Sequence, residues 1–519
     1  MPNDLQMNGM RRNRRCHEKL QPVTNIFYCC CIACVVLLFT GCAASKRAAY
    51  KPSDKIAAAK LKEDFSLLKK ILEANHPSLY WYTPKDSVDH YFNEAYESIR
   101  DSMTEFRFRN KVAWFISKLK CGHTSVRPSQ AYSDYYTVHK PARFPLLIKT
   151  WNDSLVYIGS LNRQDTLLDR GTVITSIENL PAKLLLDSMF HYISTDGDGD
   201  NFKSQAISFN FPLYYSFAFP LKDSFAITYV DSGIQQSAYV KLNKPVIDTA
   251  GQKKPAKDAA PRPNRRQIKQ MILLSKRSMI FDTVSNLAYM RLNTFSGGRL
   301  RSFFRQSFKD LAANNIQNLV IDLRENSGGN INLSMLLTRY LKQQPFHTAD
   351  TAIAVNRPFS YTKYIHPALP YNIAMRFATA KKTDGRYHFG QLEKHAYKPF
   401  TRHHYDHPVY IVQGGYTFSA AAMFVLQLKG QQNVTVLGEE TGGGNYGTSA
   451  VHLPDIVLPN SKVRVVLPLY RLVFDTTQTK NGKGIQPDVY VPPSSEDIKN
   501  GVDPKLKKVK ELIEERRKQ

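Results

Sequence analysis

The chain has 519 residues, more than one ordinary hydrophobic core organises, and length alone predicts about three units. Its 42% hydrophobic and 11% aromatic content belongs to a globular protein and excludes a disordered one. The net charge of +27 is large, but lysine and arginine are scattered and no nucleic-acid-binding signature accompanies them. A solvated surface or a nearby anionic membrane accounts for such charge, and no nucleic-acid partner is expected.

The N-terminus reads as a targeting segment. Arg11, Arg12, Arg14, Arg15 and Lys19 form a basic region ahead of the 14-residue apolar run from Ile26 to Phe39, which is short for a membrane span. The run closes on Phe39-Thr40-Gly41-Cys42-Ala43, small residues directly before a cysteine. This resembles a bacterial lipoprotein signal, with Phe39 standing where leucine is usual. The resemblance implies lipidation at Cys42, a polar tether after it, and an exported, envelope-anchored body, facing the periplasm from the outer membrane in a Gram-negative cell. The other reading is a plain signal anchor. Six of the 7 cysteines lie at or before Cys42, which leaves Cys121 alone beyond it, so neither a disulfide framework nor a cysteine-based zinc site is expected.

Helical periodicity follows. Leu61, Phe65, Leu68, Ile71 and Leu72 recur at three- and four-residue steps. A break at His76-Pro77 precedes renewed periodicity through Tyr91, Ala95 and Ile99, and again through Val112, Phe115, Ile116 and Leu119. Gly122, in Cys121-Gly122-His123-Thr124, reads as a helix terminus with a strand starting at His123. A histidine there is either a helix-terminus cation or, given a partner, a functional group. From Phe144 to Leu242 the runs are β-branched and aromatic, as in Thr172 to Ile177 and Phe225 to Val230. Gly171 to Ile177 with Leu180-Pro181-Ala182 resembles the strand–turn–strand core of a PDZ module, with Glu178-Asn179 in place of the usual glycine. Lys244 to Arg266, with several prolines and basic residues, reads as a linker.

From Ser278 onward the pattern turns α/β. Leu287 to Leu292 and Asn318 to Leu323 are predicted strands, separated by a helical run from Leu300 to Ala313. After an aromatic and basic excursion, Phe346 to Tyr405, comes the strand Pro408 to Val412, the turn Gly414 to Thr417, and a helix-like run from Ala420 to Leu428. Ser419 thus sits between a buried strand and a helix start. There it is either an ordinary N-cap or a nucleophile whose oxyanion can use the free N–H groups of the helix. His403, His404 and His407 lack the carboxylate spacing of a zinc site and read as surface loop; no metal or cofactor is expected.

Three glycine-rich strand exits complete the pattern: Asp322-Leu323-Arg324-Glu325-Asn326-Ser327-Gly328-Gly329, Thr417-Phe418-Ser419-Ala420, and Gly438-Glu439-Glu440-Thr441-Gly442-Gly443-Gly444. With Leu287 to Phe295 and Gly484-Ile485-Gln486-Pro487-Asp488, they resemble the S41 family of serine peptidases, which includes the tail-specific processing proteases and the tricorn core protease. The resemblance implies a multidomain α+β protein with a ClpP/crotonase-like core. The divisions it implies are 1–41 signal peptide, 42–60 tether, 61–135 helical domain, 140–243 PDZ-like β-domain, 244–277 linker, 278–497 catalytic core and 498–519 C-terminal helix.

By the same resemblance Ser419 takes the nucleophile position, and the oxyanion hole is the N–H of Ala420 with that of Gly328 or Gly329. The lysine base of the tail-specific branch is replaced by Gly444, so a Ser–Lys dyad is absent. The tricorn-like branch uses a histidine from the N-terminal domain, and His123 stands at the corresponding motif. The residue aligned with that branch's acidic orienter is Asn481, with Asp475 and Glu439 as alternatives; in a chymotrypsin-type triad the change from Asp to Asn costs about 10⁴ in turnover. The implied activity is endopeptidase cleavage of a peptide or protein. The rival readings are a non-catalytic envelope binding protein on the same fold, motivated by the missing lysine, and a polyanion binder resting on charge alone.

Overall fold

In the computed structural model, residues 50–245 and 263–518 are described. The proposed signal peptide, Cys42 and the first part of the tether, residues 43–49, lie outside them, as do residues 246–262 of the linker. The chain is a multidomain α+β protein, as the sequence pattern predicts.

Helices Ala58–Asn75, Lys85–Glu97 and Glu105–Lys118 form the N-terminal layer. The first ends where Pro77 forces His76 into extended backbone, φ −79° and ψ 117°. The third is capped by the Thr104 hydroxyl, which accepts the Arg107 N–H. Their apolar stripes meet at Phe65, whose ring lies 5.0 Å from Phe92 and 5.4 Å from Phe115. These helices have no core of their own, because the same cluster continues through Phe346, Ile456, Leu467 and Tyr470. The joint is polar as well as apolar. Buried Asp64 accepts the N–H groups of Asn460 and Ser461 at 2.9 and 2.7 Å. Strand Val126–Arg127 also pairs antiparallel with Arg464–Val466.

Residues 146–241 form an antiparallel sheet in the order Leu146–Trp151, Ser154–Ser160, Val173–Ile177, Ser224–Asp231, Ile234–Lys241. Leu146–Trp151 alternates buried and half-buried residues, as expected of a sheet with one covered face. That cover is helical: Ala182–Phe190, Asp200–Phe209 and Phe211–Ala218. The sequence reading sees only β character here, because Phe211–Ala218 is aromatic-rich like a strand and only its packing makes it helical. Glu178 and Asn179 close the hairpin between Val173–Ile177 and Leu180–Pro181 with φ of 54° and 62°. The Glu178 carboxylate holds the turn by accepting the Ala226 N–H at 2.7 Å.

The remaining strands build the core sheet, in the order Arg277–Asp282, Leu287–Leu292, Asn318–Asp322, Val409–Gln413, Val434–Gly438, Val489–Tyr490. Only the first pair is antiparallel. Asn318–Asp322 and Val409–Gln413 are buried at every position, as strands covered on both faces must be. Helices Leu300–Ala313 and Ala420–Leu428 make the crossovers. Asn318–Asp322, Val409–Gln413 and Val434–Gly438 are parallel neighbours in register, Asp322 beside Val412 and Gln413 beside Gly438. The three glycine-rich stretches therefore leave the sheet at the same edge, the carboxyl end where open α/β sheets place their sites.

Candidate active site

Ser419 occupies the N-cap position of Ala420–Leu428, yet its side chain caps nothing. Its backbone is at φ 52° and ψ −125°, a conformation a serine adopts only when its surroundings impose it. The neighbouring motifs impose it. The Thr417 carbonyl accepts the N–H groups of Gly442 and Gly443, and its hydroxyl donates to the Leu323 carbonyl at 2.9 Å. The fully buried Asn326 accepts the Gly328 N–H on its side chain and the Phe418 N–H on its carbonyl, at 2.8 and 3.1 Å. Gly328 lies directly beneath, where a Cβ would stand 2.7 Å from Ser419 Cβ and 2.9 Å from the Ala420 nitrogen.

The hydroxyl so presented meets His123 across 296 residues of sequence, with Oγ 3.0 Å from Nε2. The imidazole rests on the Phe418 ring at 4.8 Å. Burial pushes its pKa down to about 4, so it is neutral at physiological pH and free to take a proton. Gly122 is needed for this contact. It is no helix terminus, because the left-handed residue after Glu105–Lys118 is Lys120, at φ 53°. A Cβ on Gly122 would lie 2.5 Å from Phe418 Cζ. Behind this loop, His76 Nδ1 accepts the Ser78 N–H at 3.1 Å, which leaves Nε2–H to donate to Thr124 Oγ1 at 2.8 Å. His76 thus positions the His123 loop and does not reach Ser419.

The far side of the imidazole departs from the sequence expectation. Asn481 is exposed and its side-chain oxygen accepts the Lys483 N–H at 3.0 Å. Its neighbour Gly482 packs against Gly197 and accepts the Asp198 N–H at 2.9 Å, so this turn braces the 196–198 loop and leaves the imidazole to others. The alternatives are engaged elsewhere: Asp475 with Thr477, Glu439 with Lys505 at 2.5 Å. His123 Nδ1 instead faces Thr448 Oγ1 at 3.2 Å, and Thr448 donates to Asp196 Oδ2 at 2.8 Å. Asp196 is 3% exposed and accepts the Gly122 N–H at 2.9 Å. Burial raises its pKa to about 6 against the pull of Thr448 and the backbone N–H groups of Gly122 and Gly444. Gly444, where a lysine would stand in the tail-specific pattern, thus contributes a backbone donor to a buried carboxylate. Neither Thr448 nor Asp196 was found from sequence. Asp196 lies in Thr195-Asp196-Gly197-Asp198-Gly199, a glycine-spaced acidic turn that could have drawn attention.

On the oxyanion side the two glycines separate. The Gly328 N–H is committed to Asn326, so it is not available as an oxyanion donor. Phe295 bonds Gly328 and Asn330 on either side of Gly329, and the alternation of a parallel bridge turns the Gly329 N–H away from Phe295. The Ala420 N–H is one of the unpaired donors of a helix start. Ser419, His123 and Ala420 are brought together over Gly328, with Gly329 next in the chain; Asn481 is not among them.

The geometry is that of a nucleophile, a neutral base and backbone donors on a strained turn, which suits acyl transfer. Residues 286–491 match the family model described as Peptidase family S41. No curated protein matches the chain. Among solved structures the chain is similar to mature CPAF, at 14% identity over 88% of this chain and 97% of that one, with a TM-score of 0.61. It is similar also to mature CPAF complexed with lactacystin, at 15% identity over 88% and 98%, TM-score 0.60. A putative peptidase from Parabacteroides merdae ATCC 43184 aligns at 14% identity over 88% and 97%, TM-score 0.43. For the two CPAF structures, at 14% and 15% identity, the likeness is one of fold.

Proposed function

We propose that the chain, whose residues 286–491 match the model of peptidase family S41, is a serine endopeptidase working through an acyl-enzyme on Ser419, with His123 as general base. The observation that carries the reading is the 3.0 Å approach of His123 Nε2 to the hydroxyl of a serine that caps no helix. The Ser419 oxygen attacks the scissile carbonyl carbon while its proton passes to Nε2. The oxyanion so formed takes the N–H groups of Ala420 and Gly329. The C–N bond then breaks, the imidazolium returns the proton to the leaving amine, and water activated by the same nitrogen hydrolyses the ester. Asp196 acts through Thr448 as the orienting carboxylate, the role the sequence pattern would assign to Asn481.

A fluorophosphonate probe is expected to label the wild-type protein on Ser419, and neither Ser419→Ala nor His123→Ala is expected to react at a comparable rate. A Ser419→Ala protein that still cleaved peptides at the wild-type rate would remove the assignment. Absence of labelling in a folded wild-type protein would favour a binding protein on this fold. The substrate is a peptide or protein met in the cell envelope, where the reading places the chain as a lipoprotein anchored at Cys42. The expected result of Cys42→Ser is a shift of the protein from the membrane to the soluble fraction; retention in the membrane would count against the anchor.

A further inference from the structure

Helix Glu105–Lys118 carries a buried cation with no ion-pair partner among the described residues; the buried Glu105 carboxylate one turn back is bonded to the Ser129 N–H and hydroxyl. Arg109 is 6% exposed, and no carboxylate lies within ion-pair distance of it among the described residues. Its guanidinium is enclosed by rings instead, 4.6 Å from Tyr132, 5.2 Å from Phe106 and 5.6 Å from Phe217. In a chain of net charge +27, an exposed arginine without a partner carries no information. A buried one does, because guanidinium is always charged and its desolvation is only partly offset by aromatic faces.

Arg109 lines a cavity of about 550 Å³. Gly122 and Tyr416, close chain neighbours of His123 and Ser419, line it as well. Arg143 and Tyr136 belong to the same lining and also line an adjoining cavity of about 600 Å³ that adds Arg107. Among the described residues no Asp or Glu lines either cavity. Arg107 and Arg143 are exposed on the rim, so the groove runs from a buried cation to a cationic mouth. A groove with arginines, tyrosines and no acid is complementary to carboxylates, and Arg is the residue that holds them with fixed geometry. Its contact with the His123 loop favours an occupant continuous with a scissile acyl group.

We propose that this groove takes the acidic side chains of a peptide substrate, with Arg109 as the residue that sets the preference. The proposal rests on the peptidase reading above and adds a substrate class to it: segments rich in Asp or Glu beside the cleaved bond.

The test uses two internally quenched, C-terminally amidated peptides that differ only in Glu against Gln at the positions flanking the bond. Wild type is expected to cleave the Glu peptide with kcat/KM about tenfold or more above the Gln peptide, the scale of a charge-assisted contact. Arg109→Gln is expected to bring that ratio close to one through KM, and Arg109→Lys to retain part of it. Because a buried substitution can cost the fold, Arg143→Gln on the exposed rim is the second variant, and it should lower the same ratio. Equal rates on the two peptides with wild type, or a ratio unchanged in both glutamine variants, would overturn the proposal while leaving the peptidase reading intact. Binding of the fluorescein-labelled peptides to the Ser419→Ala protein separates the two ideas from the other direction. A tighter Glu peptide, with no cleavage of either by wild type, would keep the groove and remove the peptidase. If instead a labelled single-stranded oligouridine bound more tightly than the Glu peptide, and Arg109→Gln abolished that binding, the groove would be a nucleic-acid site and the proposal would be wrong.

Discussion

The Thr448 hydroxyl stands between the His123 Nδ1 and the Asp196 carboxylate, and its single proton can serve only one of them. With that proton given to Asp196 Oδ2, the Thr448 oxygen accepts Nδ1–H, and Nε2 is left with the lone pair that Ser419 needs. Replacing Thr448 with Val removes this tautomer lock, and kcat/KM is expected to fall by about 10²-fold, within the usual range for general-base catalysis. Thr448→Ser should keep most of the rate. The pH profile carries the same signature. Burial holds His123 low, at about 4, and Asp196 high, at about 6. In the proposed mechanism both act deprotonated, so activity is expected to be lost as pH falls, with the first loss near pH 6 as Asp196 takes a proton. In Asp196→Asn that step should vanish and the remaining acid limb lie nearer pH 4. An acid limb unmoved by Asp196→Asn would disconnect the carboxylate from catalysis.

The site exists because three strand exits converge, and their glycines are spacers more than hinges. Gly328 shows the demand at its sharpest: its φ is 99°, and a Cβ would press on Ser419 Cβ and on the Ala420 nitrogen. Gly328→Ala is expected to lose fluorophosphonate labelling and to cost about 1–3 kcal/mol in chemical denaturation, the scale of a forced backbone conformation. Full labelling in that variant would show that the turn accommodates the shift a Cβ at this position demands. Asn326 and Thr417 explain the rest of the two motifs. One bonds the loop to Leu292 and Phe418, the other closes the nucleophile turn onto Leu323 and the 442–443 backbone.

The groups of the proposed site come from three layers that share packing. His123 belongs to the helical layer, Asp196 to the loop between two helices covering the β-sheet, and Ser419 to the core sheet. The described residues from Pro52 onward form one compact unit, and the helical layer draws its core from the same cluster as residues 346–474. A single cooperative unfolding transition is therefore expected for this body; a separate early transition of the helices would contradict it. Asp64 is the polar pin of the joint, and Asp64→Ala leaves the Asn460 and Ser461 donors unmet at a buried position. A loss of about 2–4 kcal/mol in denaturant titration is expected, together with weaker labelling of Ser419, because the base is carried on the layer that loosens.

What the sequence determined by itself was local. The periodic helices, the near-continuous apolar strands, Ser419 at a strand-to-helix turn, and a glycine where a lysine base would stand are all properties of neighbouring residues. The resemblance then named the core and pointed to His123. What it misassigned depends on distance in space. Alignment placed Asn481 at the orienter, but contact with an imidazole is set by which side chain folds against it, and that is Thr448 from one strand with Asp196 from a different layer. Gly122 read as a helix end, since a glycine's neighbours in sequence do not disclose that a phenylalanine from the 418 turn will lie against it. Arg109 is one of many scattered cations in the sequence, and only packing decides that it is buried among rings. Hydrophobic period and turn chemistry act over a few residues and can be read in order along the chain. Hydrogen-bond partners and burial are decided by closure over hundreds of residues, and the tertiary structure alone reports them.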